Sequence, residues 1–86
     1  MSQISQLKQQ VNQVASDAQN TAAGLSAFSN KFTSAIAQIE GLIGGTAKGT
    51  DKQLIATLQS ADKEVKAAVQ ALQSASKSAK DWAQQA

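Results

Sequence analysis

The chain has 86 residues, enough for one small domain whose hydrophobic core is marginal without a partner, a metal or disulfide bonds. It contains no cysteine and no histidine, which excludes disulfide bonds, thiol nucleophiles, imidazole bases and the usual zinc and haem ligand sets. Its net charge of +2 comes from lysines and acids that are interleaved along the chain, so no basic patch predicts nucleic-acid binding.

The N-terminus lacks the charged start and apolar segment of a secretory signal peptide. No apolar run approaches the roughly 20 residues that cross a bilayer as a helix. We therefore expect no membrane partner, and we expect that an exported chain would leave the cell without a cleaved signal peptide.

The first half of the chain carries apolar residues at alternating spacings of three and four. Thr21 is the one polar member of this row. The other members are Ile4, Leu7, Val11, Val14, Ala18, Leu25, Phe28, Phe32, Ala35, Ile39 and Leu42. Such spacing is typical of a helix that keeps one face against a partner helix, and it predicts a helix over residues 3–43.

Glycines concentrate in the middle of the chain, where they predict a bend. Gly44 and Gly45 free the backbone as one helix ends, and the next helix starts with a capping box formed by Thr50 and Gln53. A Walker-type phosphate loop is excluded because Lys48 precedes the last glycine of the stretch instead of following it. We predict a turn over residues 44–50.

The second half repeats the pattern of the first half. Its row consists of Leu54, Leu58, Ala61, Val65, Ala68, Leu72, Ala75, Ala79, Trp82 and Ala86. This row predicts a helix over residues 51–85, with Trp82 as a core anchor at the open end or, as the alternative, an exposed recognition side chain. Helices joined by a short turn fold back on each other, so we predict an all-α antiparallel hairpin forming one domain over residues 1–86.

Large aliphatic residues also flank the predicted seam by one position. They are Ile36 and Ile43 in the first helix and Ile55 and Val69 in the second. A stripe this wide exceeds what one partner helix covers, so we predict a dimeric four-helix bundle with these residues at or near the interface. The alternative is that they broaden the seam inside the hairpin.

Catalytic constellations are missing from the sequence. Asp62 and Glu64 are two residues apart and would point to different faces of a helix, and no histidine is present to activate a serine or threonine. We expect no enzyme, no cofactor and no metal. Gly24 lies inside the first predicted helix, where it marks a close contact with a partner helix, a gentle bend or a tolerated glycine.

In size, two-helix layout, glycine turn and lack of a signal peptide, the chain resembles the WXG superfamily of small proteins exported by type VII secretion systems. That family carries Trp-x-Gly in the turn, where this chain has Leu42, Ile43, Gly44 and Gly45. The family's second helix often shows an apolar–acid–apolar–apolar pattern. Leu58, Asp62, Val65 and Val69 match it and form the candidate export motif.

The resemblance implies a secreted or secretion-partner protein that acts as a homodimer or as a heterodimer with another helical hairpin. A larger secreted effector and a secretion ATPase would be further partners. The family's tyrosine-containing export signal has no counterpart here, so a heterodimeric partner would supply it. Two alternative hypotheses for the function are a polymerising structural subunit resembling type III needle proteins and a cytoplasmic coiled-coil adaptor.

Overall fold

Two long helices build the protein. The computed structural model describes residues 3–44 and 49–86, with Thr50 described by its backbone alone. Helix α1 spans Gln3–Ile43 and helix α2 spans Gly49–Gln85, and the two pack against each other as an antiparallel hairpin. No strand occurs among the described residues. The predicted all-α hairpin is therefore confirmed.

The ends of the helices lie close to the predicted ones. Helix α1 covers the expected range, whereas α2 begins at Gly49, two residues before the predicted start. Gly44 follows α1 with a φ of 64°, a left-handed conformation that glycine adopts without strain and that commonly ends helices. Gly45 of the candidate turn motif and the Thr50 side chain of the predicted capping box lie outside the described residues.

The hairpin is a rod. Its principal extents are 67 × 17 × 14 Å and its radius of gyration is 19.3 Å, whereas a compact domain of this length has a radius of gyration of about 12 Å. The long dimension follows from the rise of about 1.5 Å per residue in an α-helix. With only two helices side by side, much of each helix surface faces outward.

The most buried residues recur every seven positions. In α1 they are Ala15, Ala22, Ser29 and Ile36. In α2 the same spacing runs through Ile55, Asp62, Val69, Ser76 and Ala83. We call these the inner rows. Half-buried residues alternate with them in a 3-4 pattern, as in the core positions of a coiled coil. These middle rows comprise Val11, Ala18, Leu25, Phe32 and Ile39 in α1, and Leu58, Val65, Leu72 and Ala79 in α2.

The inner rows include the four residues of the predicted dimer interface. Ile36 is only 5% exposed in the single chain, and Ile43, Ile55 and Val69 continue the inner rows as half-buried residues. All four therefore lie in the seam between α1 and α2, as the alternative of a broadened seam inside the hairpin has it. The apolar spacing in the sequence did not identify the inner rows as the seam, because these rows also contain Ser29, Asp62 and Ser76. The polarity of these residues hid the seven-residue repeat.

The predicted seam is correspondingly split. Its middle-row members are half-buried, whereas the members between them are exposed except for Ala61; the large exposed ones include Leu7, Val14, Phe28, Leu42 and Leu54. Ile4, at the start of α1, is exposed as well. Trp82 is 41% exposed, so it is not the predicted core anchor. The tryptophan lies on the flank of α2, in the same seven-residue row as Leu54.

Candidate interaction surface

One flank of the hairpin is apolar along its length. In α1 it contains Leu7, Val14, Thr21, Phe28, Ala35 and Leu42, and in α2 it contains Leu54, Ala61, Ala68, Ala75 and Trp82. We call these residues the outer face. All are exposed except the half-buried Ala61, and none carries a charge. Contiguous exposed apolar surface of this kind marks interaction sites in soluble proteins.

The outer face is most prominent at the aromatic pair of α1. The rings of Phe28 and Phe32 stack with their centroids 5.5 Å apart. Phe32 belongs to the middle row and is half-buried, whereas Phe28 is 49% exposed. The stack therefore extends the apolar seam outward onto the surface.

The opposite flank is polar and is closed by hydrogen bonds between the helices. Gln59 Nε2 donates to Glu40 Oε1 over 2.9 Å, and Lys80 Nζ donates to Gln19 Oε1 over 2.8 Å. These bonds fix which sides of α1 and α2 meet on this flank. The outer-face residues lie beyond the seam on the other side of each helix, so the two helices contribute them to one continuous surface.

A polar cluster interrupts the apolar seam near its middle. The Asp62 carboxylate accepts hydrogen bonds from Ser29 Oγ at 3.0 Å and Thr33 Oγ1 at 2.8 Å, both from α1. Lys66, one turn further along α2, donates to the same carboxylate over 2.8 Å and forms an ion pair with it. The cluster therefore links α1 and α2 at one position along the length of the rod.

This environment lowers the pKa of Asp62 below its ordinary value of 3.8. The hydrogen bond from Lys66 is the main cause, followed by the one from Thr33, while burial opposes them and the Ser29 bond and the Lys66 charge add to the lowering. Hydrogen bonds to the charged form favour it. Asp62 is therefore an ionised structural carboxylate with its oxygens occupied by donors, which does not suit acid–base chemistry.

A second polar contact holds the hairpin closer to its open end. Ser76 is buried, and its Oγ donates a 2.8 Å hydrogen bond to the backbone carbonyl of Ala15, which is fully buried. A serine beside an alanine brings the two backbones near each other. Among the described residues, no buried side-chain nitrogen or oxygen lacks a hydrogen-bond partner.

The candidate export motif belongs to the seam. Leu58, Asp62, Val65 and Val69 all lie in the inner or middle rows of α2, and the Asp62 carboxylate is engaged by α1. Of the candidate turn motif, Leu42 is 88% exposed at the end of the outer face, while Ile43 is half-buried. The export motif thus lies in the seam, whereas the described part of the turn motif is divided, with Leu42 on the surface and Ile43 in the seam.

The sequence analysis did not predict the Asp62 cluster. It considered Asp62 only as a possible catalytic partner of Glu64 and as the acid of the export motif. A usable signal was present: a small residue stands every seven positions at 15, 22 and 29, and this repeat leads to Ile36. Following that repeat would have placed Ser29 in the seam, facing the acid of α2.

The chain exposes far more surface than its mass requires. Its accessible surface is 6273 Å², whereas a compact monomer of 8.9 kDa would expose about 4,800 Å², a difference of about 1,500 Å². No large side chain is fully buried among the described residues. The hairpin therefore leaves apolar surface uncovered that a second molecule could bury.

Within the described ranges 3–44 and 49–86, no group of acidic side chains could hold a metal ion, and neither helix contains a segment long and apolar enough to cross a bilayer. Comparison of the chain with protein-family models, with curated proteins and with solved structures gives no match.

Proposed function

We propose that this protein is a non-enzymatic interaction module whose outer face packs against another helical hairpin to form a four-helix bundle. The observation that carries this proposal is the one-sided distribution of apolar surface. One flank of the rod is uncharged and apolar from Leu7 to Leu42, and the other is closed by hydrogen bonds. Burial of apolar surface is the main driving force of association.

A helical partner suits this surface better than an extended peptide or a small molecule. The outer face is long and straight, and its apolar residues recur every seven positions, which is the spacing that a second helix pair can match. Exposed edges of a sheet, which recruit extended peptides, do not occur among the described residues.

The cellular role that we propose follows from the resemblance to the WXG superfamily. In that role the hairpin is exported without a cleaved signal peptide through a type VII pathway, or accompanies a larger effector as its partner. The proposal is supported by the two-helix layout and by the glycine-rich stretch of sequence in the middle of the chain, which Leu42, Ile43 and Gly44 begin. Fractionation of source cells should place the chain in the culture medium, and loss of the secretion ATPase should retain it inside.

Site-specific photo-crosslinking tests the interaction itself. A photoreactive amino acid at Phe28 on the outer face should form adducts in source cells with a second helical chain, identified by mass spectrometry. The same group at Ser34, exposed on the outside of α1, is the control and should give little product. Equal labelling at both positions, or none at Phe28, would contradict the proposal.

A further inference from the structure

We infer that the partner of the outer face is a second copy of this chain, with α1 packed antiparallel against α1 of that copy around Gly24. The inference rests on the proposed function and names its partner and geometry. It assigns a closed two-fold dimer, in which every contact is made twice. Four features of the surface support it: its symmetry, its charges, the glycine near the middle of α1 and its area.

The outer-face row of α2 is palindromic in side-chain size, and the two ends of the α1 row match each other. A two-fold axis beside Gly24 pairs Leu7 with Leu42, Val14 with Ala35, and Thr21 with Phe28 of the second copy. The row of α2 reads large, small, small, small, large, and it is centred on Ala68, which pairs with itself. Its other pairs are Leu54 with Trp82 and Ala61 with Ala75. A two-fold interface requires such a self-complementary pattern.

A single axis can serve both helices because the centres of their rows lie near each other along the rod. The hydrogen bonds Ser29–Asp62 and Ser76–Ala15 join residues whose numbers add to 91. The other bonds between the helices join residues whose numbers add to 95 (Thr33–Asp62) or to 99 (Gln59–Glu40 and Lys80–Gln19). Ala68 of α2 therefore lies beside the stretch of α1 from residue 23 to residue 31, which begins next to Gly24. The pairings along α1 and along α2 are thus compatible with one axis perpendicular to the rod.

The rim charges of α1 obey the same symmetry, whereas Glu64 on the rim of α2 has no charged counterpart. Asp17 and Lys31 are exposed, share the row of Gly24, and stand seven residues before and after it. The two-fold axis brings Asp17 to Lys31 of the second copy, and Lys31 to Asp17 of that copy. Opposite charges thus meet twice, which favours this partner and this orientation over a shifted one.

The packing of α1 against α2 does not explain why residue 24 is a glycine. A Cβ atom built on it would meet no other atom within 4 Å, so packing of α1 on α2 does not require a glycine there. Glycine is nevertheless unfavourable inside a helix compared with alanine. Close approach of a second helix at the axis accounts for it, because two facing glycines let the backbones come together.

The area that the hairpin leaves open suits such a dimer. The excess over a compact monomer is about 1,500 Å² per chain, and a standard stable interface buries about 800 Å² on each partner. A second hairpin of the same length would cover the outer face from end to end. A shorter partner would leave Leu42 or Trp82 uncovered.

Cysteine crosslinking tests this geometry directly, since the chain has no cysteine of its own. We expect the purified full-length chain to sediment as a dimer, and its Gly24→Cys variant to form a disulfide-linked dimer under mild oxidation. Ala27→Cys, on the outside of α1, is the matched control and should remain largely unlinked. In the other two-fold packing, with α1 over α2 of the second copy, the two residues 24 are diagonal and do not link.

Charge exchange provides a second test that leaves the glycine in place. Asp17→Lys and Lys31→Asp should each weaken the dimer by roughly tenfold, because each places like charges opposite one another at two sites. The double variant should restore the wild-type dissociation constant to within roughly threefold. Circular dichroism of each variant checks that helical content is unchanged.

The outcomes separate this inference from the proposed function. A purified chain that stays monomeric while Phe28 crosslinks to a different helical protein in cells overturns the self-pairing and retains the interaction module. A dimer without the Gly24→Cys link and without rescue by charge exchange overturns the geometry. Absence of both self-association and Phe28 adducts overturns both.

Discussion

Asp62 shows how one residue fixes the alignment of two helices. Ser29 and Thr33 of α1 both donate to its carboxylate, and Lys66 pairs with it from the same helix. A slide of α2 by one turn would move this carboxylate away from Ser29 or from Thr33, although Lys66 would move with it. The loss of a hydrogen bond to a largely buried carboxylate is costly, so the cluster favours the observed register over others that the apolar rows alone would permit.

The depressed pKa of Asp62 predicts an acid-dependent loss of stability. A group whose pKa is lower in the folded than in the unfolded chain stabilises the fold fully above the unfolded pKa, and the contribution is lost as the pH falls through the folded one. For Asp62 that loss begins near 3.8 and continues below it. Asp62→Asn should lower the melting temperature at neutral pH, and its difference from wild type should shrink in acid.

Thermal unfolding followed by circular dichroism between neutral and strongly acidic pH measures this effect at a fixed protein concentration. Glu64→Gln is the control, because it removes one negative charge from an exposed position two residues away. It should change the melting temperature little at any pH. A pH-independent difference between Asp62→Asn and wild type would show that the charge of Asp62 does not matter.

At the scale of the helices, small residues in the inner rows determine how closely α1 and α2 approach. Ala15 is completely buried and Ala22 is 2% exposed. Next to Ala15, the Ser76 hydroxyl reaches the α1 backbone directly. Close packing of this kind gains many weak dispersion contacts, and it leaves no space for larger side chains in the inner rows.

Ala22→Leu should therefore destabilise the hairpin by about 1–3 kcal/mol through overpacking. Ala27→Leu is the matched control, since residue 27 is exposed on the same helix and alanine and leucine have similar helix propensities. Urea unfolding of both variants measures the difference. Equal free energies of unfolding would mean that the inner row has room that the structure does not show.

On the scale of the whole molecule, the rod has little interior of its own. Only four apolar residues are buried among those described, and three of them are alanines. Meanwhile the outer face exposes phenylalanine, leucine and tryptophan side chains. In the proposed dimer, folding of such a chain would gain much of its stability from association, so folding and partner binding would be one equilibrium.

This coupling predicts a concentration-dependent melting temperature. If two copies bury the outer face together, the melting temperature should rise by about 3–5 °C for each tenfold increase in protein concentration. Phe28→Asp should abolish that rise because it places a charge in the interface, whereas Ser34→Asp on the outside of α1 should keep it. A wild-type melting temperature independent of concentration would contradict self-association.

The sequence by itself determined the helices, the bend and the absence of histidine and cysteine chemistry. These features follow from local rules: spacings of three and four, clustered glycines and composition act over a few residues. The residues of the wide apolar stripe were also identified correctly as a set. Leu42, Phe28 and Ile36 all belong to it.

Only the tertiary structure decided which row of that stripe faces α2. Neighbouring rows of a helix differ by a small rotation, and their apolar contents are similar, so hydrophobicity could not choose between them. The choice lies in cross-helix contacts between residues far apart in sequence, namely Ser29 with Asp62 and Ser76 with Ala15. Those contacts turned Ile36 inward and left Phe28 on the surface.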